Sequence, residues 1–200
     1  MHFPHLVLAR LYEHIEPMDR GERYEDPLQA RLEEMGIGRV TGGGSQLDEL
    51  GGITYADVEM ELANVEDALR IVVEALEAAG APQGSQLIHG SDSRVLREFG
   101  KLQCLAVFLD GTSLPDEVYA DLDFEAVVAA IGGAAGDNSY RGFWQGPQET
   151  GLFLFGADAE AMFARVEPVL RQLPIGQNAR VVIRHGKQSL SPREIRIPRH

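Results

Sequence analysis

Between Ile53 and Leu62 apolar and acidic positions alternate: Val58, Met60 and Leu62 fall to one side of an extended chain, Asp57, Glu59 and Glu61 to the other. This period of two predicts a strand with one buried and one solvated face. Asn64 then precedes a helical period, Val65, Leu69, Val72, Leu76 and Ala79, which Gly80 closes. Upstream, residues 3–15 are rich in aliphatic and aromatic side chains and read as a strand. Asp26-Pro27 supplies a cap and a first-turn proline for a helix carrying Leu28, Leu32 and Met35, and Gly36 stops it. Ile37 to Leu47 reads as a strand broken by Gly42, Gly43 and Gly44, and Ser85 to His89 as a short strand. The predicted order is βαββαβ.

Residues 90–100 read as a connection, after which the order restarts. Lys101 to Leu109 is a strand. Asp123 caps a helix with Phe124, Val127, Val128 and Ile131 on one face. Tyr140 to Gln145 and Thr150 to Phe155 are strands, residues 158–173 a helix, and Ala179 to Arg184 the last strand. At an offset of 93, Ala68 falls on Ala161, Val73 on Val166 and Glu74 on Glu167. The expected fold is α+β, two duplicated ferredoxin-like βαββαβ units with antiparallel sheets, spanning 1–90 and 101–185, followed by a basic tail, 186–200.

The halves differ in one respect. Leu152, Phe153, Leu154 and Phe155 are apolar on both faces, so the second sheet should be covered on both sides. The first unit, the tail or a second copy of the chain, as a homodimer, are the candidates for the side away from the helices. Pro168 falls within the last helical pattern and should bend or split it.

The apolar share is 44% and the charged share 24%, values of a packed soluble chain. No apolar run is long enough to span a bilayer, and the start lacks the basic region of a secretory signal, so a reducing cytoplasm is expected. Cys104 is the lone cysteine and reads as core. The net charge is −13. Residues 184–200 carry five basic groups against Glu194, so the preceding body is more acidic still. Such a body repels phosphate backbones and anionic membranes and attracts a basic protein partner.

Local catalytic motifs are missing. Gly38 to Ser45 has the glycine spacing of a phosphate loop, but Gly44 stands where lysine is required. The six histidines show no metal-ligand spacing, and no cofactor is expected. Three features remain as candidate binding elements: the carboxylates Asp57, Glu59 and Glu61, Trp144 before the Gly146-Pro147 turn, and Gly42, Gly43 and Gly44 as the lining of a ligand cleft. The tail, with Ile195 and Ile197 between Pro192 and Pro198, is expected to be ordered rather than frayed.

The stretches ADVEMEL…EDALRIVVEALEAAGAPQGSQL (56–87) and FLFGADAEAMFARVEPVL (153–170) resemble small acidic bacterial proteins of unknown function, loosely like immunity proteins. That resemblance implies a non-catalytic protein that binds a basic partner through an acidic surface. The alternatives are a small-ligand or regulatory module with its cleft between the two units, or an enzyme with an unrecognised site.

Overall fold

The computed structural model describes residues 2–185 and 192–199. The chain divides into two compact units, residues 1–49 with 53–102, and residues 103–200 with 50–52. The first contains β1 (His5–Leu11), α1 (Pro17–Arg20), a π-helical turn (Gly21–Glu25), α2 (Asp26–Met35), β2 (Gly38–Leu47), β3 (Ile53–Leu62), α3 (Val65–Ala78), β4 (Ser85–His89) and β5 (Val95–Phe99). The second contains β6 (Gln103–Asp110), α4 (Asp116–Ala120), α5 (Phe124–Ala135), β7 (Tyr140–Gln145), β8 (Glu149–Gly156), α6 (Ala159–Gln172), a 3-10 turn (Pro174–Gly176), β9 (Arg180–Arg184) and β10 (Arg193–Arg196).

The sheets are ordered β2-β3-β1-β4-β5 and β10-β9-β6-β8-β7, and their strands pair antiparallel. The first four strands of each unit thus take the same ferredoxin-like arrangement, and the duplication is real. Each unit adds a fifth strand outside its fourth. The segment 90–100, expected to be a connection, holds β5, which pairs with β4 from Ser85↔Phe99 onward. In the tail, β10 pairs with β9 from Arg193↔Ile183 to Arg196↔Arg180. Connection and tail are therefore one element of the repeat seen twice. Leu96 packs on the first core and Phe99 is buried, while Ile197 is 1% exposed in the second. Residues 186–191 of the expected tail lie outside the described residues.

The helices carry the repeat in a slightly different register from the one the identities suggest. Asn64 caps α3 by accepting from the amides of Glu66 and Asp67, and Asp158 caps α6 by accepting from Ala161. These caps lie 94 positions apart (158 − 64), not 93. At this offset the buried Ala68, Val72 and Leu76 fall on the buried Met162, Val166 and Leu170, whereas Ala161 is exposed. Cap and buried stripe set the correspondence, and the three matching letters do not. The expected split at Pro168 does not occur. The helix runs from Ala159 to Gln172 with Pro168 exposed, where its ring meets solvent rather than the core.

Each core lies between one sheet face and its two long helices. Val7, Ala9, Leu11, Val58, Met60 and Leu62 meet Leu28, Leu32, Val72 and Leu76 in the first. Leu105, Val107, Leu152, Leu154, Val181 and Ile183 meet Ile131, Met162, Val166 and Leu170 in the second. The second sheet is buried on its other face as well: Ala106 is 0% exposed, Phe153 6% and Phe155 3%. Phe108 and Phe153 meet edge to face there, with centroids 6.2 Å apart, and Arg180 lies 4.0 Å from the Phe108 centroid. Among the described residues no helix is long and apolar enough to cross a membrane.

Candidate functional site

The carboxylates of β3 lie on the face of the first sheet turned away from its helices. Asp57 accepts two hydrogen bonds from Arg10 of β1, at 2.9 and 2.8 Å, and the guanidinium stacks 3.8 Å from the Tyr55 ring centroid. The bond to Asp57 holds Arg10 above its already high ordinary pKa. Glu61 accepts from Arg39 of β2 at 2.9 and 2.7 Å. Glu59 stands opposite Leu8 and Gly42 across the ladders. Two of the three carboxylates therefore find their cations within the sheet itself.

Gly42 and Gly44, opposite Glu59 and Asp57, share that polar face, whereas Gly43, opposite buried Val58, faces the helices. A Cβ on Gly43 would lie 2.5 Å from the Asp57 carbonyl oxygen and 2.9 Å from both Arg20 Nε and Glu25 Oε1. Arg20 donates to Glu25 at 2.6 Å, to the Gly44 carbonyl at 3.1 Å and to Ser45 Oγ at 3.2 Å. The bare backbone at Gly43 thus admits the chain's own ion pair. Gly42 sits at a bulge with φ 153°, and a side chain on Gly44 would meet nothing within 4 Å. Trp144 is half-buried and lies over Gly146, where an added Cβ would come within 2.1 Å of its ring. The indole folds onto its own turn.

Both units carry a carboxylate–tyrosine pair at the end of their first strand, Glu13 just beyond β1 and Asp110 as the last residue of β6. In the first, buried Glu13 accepts from the Tyr24 hydroxyl at 2.6 Å and from Arg23 at 2.8 Å, and the same hydroxyl approaches the Gly80 carbonyl at 3.4 Å. Tyr24, on the π-helical turn and fully buried, thereby spans from the start of the first helical segment to the turn after α3. Beside it His14 accepts from the Ile53 amide at 3.1 Å, and burial holds its pKa below the ordinary value. In the second unit Asp110 accepts from Tyr119 of α4 at 3.2 Å, from the amides of Thr112 and Ser113, and from the side chains of Ser113 and Asn178. Burial opposes ionisation of Asp110, but these donors outweigh it and hold the carboxyl well below the usual carboxylate range. The Tyr119 oxygen also accepts from the Leu114 amide at 2.9 Å.

Both tyrosines thus bond a strand-end carboxylate, and Tyr24 alone also approaches the turn after its second long helix. In the first unit a groove of about 520 Å³ is lined by Arg23, Pro27, Arg31, Ile71, Glu74 and Ala75. Between α4, the start of α5 and the turn after α6 a cleft of about 460 Å³ opens in the second unit. Its walls are Val118, Leu122, Val127, Leu173, Pro174 and Ile175. Glu117, Asp121 and Asp123 are its charged lining groups, with no basic residue among the lining. Asp123 accepts from the Ala126 amide at 3.0 Å as the cap of α5. Asp110 ties two walls of the cleft together, α4 through Tyr119 and the segment after Pro174–Gly176 through Asn178.

None of the candidate binding residues named from the sequence lines this cleft. Its walls come from residues 117–127 and 173–175, joined only by the fold. A local signal was present in the run Asp116 to Asp123, where Val118 and Leu122 are spaced as one helical face among Glu117, Asp121 and Asp123.

No family model and no curated protein matches the chain. Among solved structures, a candidate monooxygenase from Lactobacillus acidophilus NCFM is 14% identical, with 82% of each chain covered and a TM-score of 0.27. A candidate monooxygenase from Fusobacterium nucleatum is 13% identical, with 86% of this chain and 87% of that chain covered and a TM-score of 0.27. Likenesses this slight have no bearing on activity.

Proposed function

We propose that this protein is a non-catalytic small-ligand-binding module and that the cleft of the second unit is its binding site. One observation carries the reading. The cleft is walled by Val118, Leu122, Val127, Leu173, Pro174 and Ile175, and its volume of about 460 Å³ lies within the size range of sites for small organic molecules. Catalysis is not part of this reading, because the lining offers no nucleophilic hydroxyl, thiol or imidazole beside its carboxylates.

A block at Ala126 tests it. Ala126 is exposed on the first turn of α5 and lines the cleft, so Ala126→Phe fills the opening without entering the core. Compounds that raise the melting temperature of the wild-type protein should lose that effect in the variant, whose own melting temperature stays close to wild type. Ligands that stabilise both proteins equally would place binding elsewhere.

The acidic balance favours a second reading, a basic protein partner. Its surface would be the β3 face around Glu59, where Asp57 and Glu61 already hold Arg10 and Arg39. Replacing Glu59 with Gln should then weaken capture of that partner at low salt, with Ala126→Phe neutral.

A further inference from the structure

We propose that His14 is an acid-released latch: neutral, it ties the end of β1 to the start of β3, and once protonated it turns to Glu16 and lets that end of the β2–β3 hairpin open. His14 follows β1 and is 8% exposed, and its Nδ1 accepts from the Ile53 amide at 3.1 Å. A neutral imidazole that accepts at Nδ1 carries its hydrogen on Nε2. That atom lies 3.9 Å from Glu16 Oε1. Both nitrogens of an imidazolium are donors. Protonation therefore sets a ring N–H against the Ile53 N–H, and the amide loses its acceptor. A donor left without an acceptor in a shielded place is costly, so the backbone there opens to water. The hairpin is irregular at this end. Its register shifts between Gln46 and Leu47, and Leu47, opposite Ile53, is 52% exposed. Thr54 Oγ1 donates to the Gln46 carbonyl one pair further in, at 3.0 Å. The charged groups that act on the ring are the carboxylates of Glu16, Asp48 and Glu13, and burial holds the ring neutral against their pull. Glu13 is bonded to Arg23 and Tyr24, whereas exposed Glu16 is placed to take the charged ring. The latch is thus closed above the ordinary imidazole range and opens as pH falls below it.

The experiment follows hydrogen exchange of the Ile53 amide, corrected for the intrinsic effect of pH, on the isotopically labelled full chain. It runs from about pH 8 to about pH 5, the span over which histidine changes charge, with the ring nitrogen shifts of His14 read on the same samples. The Ala63 amide, bonded to the Ile37 carbonyl at the far end of β3, is the reference. Wild type should show its ring hydrogen on Nε2 at the upper pH. As the ring takes up its second proton, exchange at Ile53 should become roughly tenfold faster relative to Ala63, the ratio expected when a shielded amide loses its acceptor. His14→Gln keeps a side-chain acceptor that does not titrate and should remove the rise. Glu16→Gln alters an exposed side chain, leaves the fold in place and should move the rise to lower pH. Level exchange at Ile53 while His14 titrates, a ring that stays neutral throughout, or an equal rise at Ile53 and Ala63 would overturn the latch. An unchanged midpoint in Glu16→Gln would overturn the turn toward Glu16 and the proposal with it.

Discussion

At the scale of single residues, the polar groups at the strand ends explain more of the chain than its exposed charges do. Gly43 and Gly44 are neighbours with opposite surroundings. Alanine at Gly43 must displace the Arg20–Glu25 pair or the Asp57 carbonyl, and alanine at Gly44 enters open space. In urea unfolding, Gly43→Ala should cost more than about 1 kcal/mol and Gly44→Ala stay within about 0.5 kcal/mol. Tyr24→Phe removes a donor from a buried carboxylate and should cost about 1–3 kcal/mol by the same measurement. Asp110 contributes to the acid response. Its folded-state pKa is depressed, so its contribution is complete above the unfolded-state value, about 3.9, and is lost as pH falls below that. Unfolding free energy measured from pH 5 down to pH 2 should therefore decline less steeply in Asp110→Asn than in wild type. Equal slopes would assign the acid response to other groups.

At the scale of elements, the two extra edge strands are what the amino-acid pattern concealed. The alternation of β3 is legible because every second residue changes character, from Asp57 to Leu62. The stretch Val95–Phe99 places Arg97 and Glu98 side by side and gives no such signal; hydrogen bonding to β4 makes it a strand. In β10 the contribution comes from burial. Ion pairs such as Arg193–Glu160 lie exposed and are worth roughly 0–1 kcal/mol each, while Ile197 is enclosed by the second core. Ile197→Ala should cost about 2–5 kcal/mol, and removal of residues 192–200 should lower the melting temperature in low and high salt alike. An unchanged melting temperature would mean that β10 adds nothing to the unit. The doubly buried β8 was legible from Leu152 to Phe155, and Phe153→Ala should cost on the order of 3–5 kcal/mol. In short α4 the signal is the single pair Val118 and Leu122, too brief a period to stand out, and one wall of the cleft stayed hidden for that reason.

At the scale of the whole molecule, duplication gives two copies of one fold with differently lined grooves. Two units share strand order, capped second helices, an added edge strand and a carboxylate–tyrosine pair. They diverge in the groove beside the tyrosine, lined by Arg23, Arg31 and Glu74 in the first unit and by Val118, Leu122 and Leu173 in the second. Net charge says that cations will be drawn to the chain; it does not say where they settle, since most carboxylates on the first sheet's polar face have partners of their own. Backbone amide shifts, followed while a small organic compound that raises the melting temperature is added to the isotopically labelled chain, locate the ligand directly. The expected result is saturable movement of signals from residues 117–127 and 173–175, with those of Asp57, Glu59 and Glu61 unmoved. Movement centred on β3, with the cleft signals still, would contradict the account.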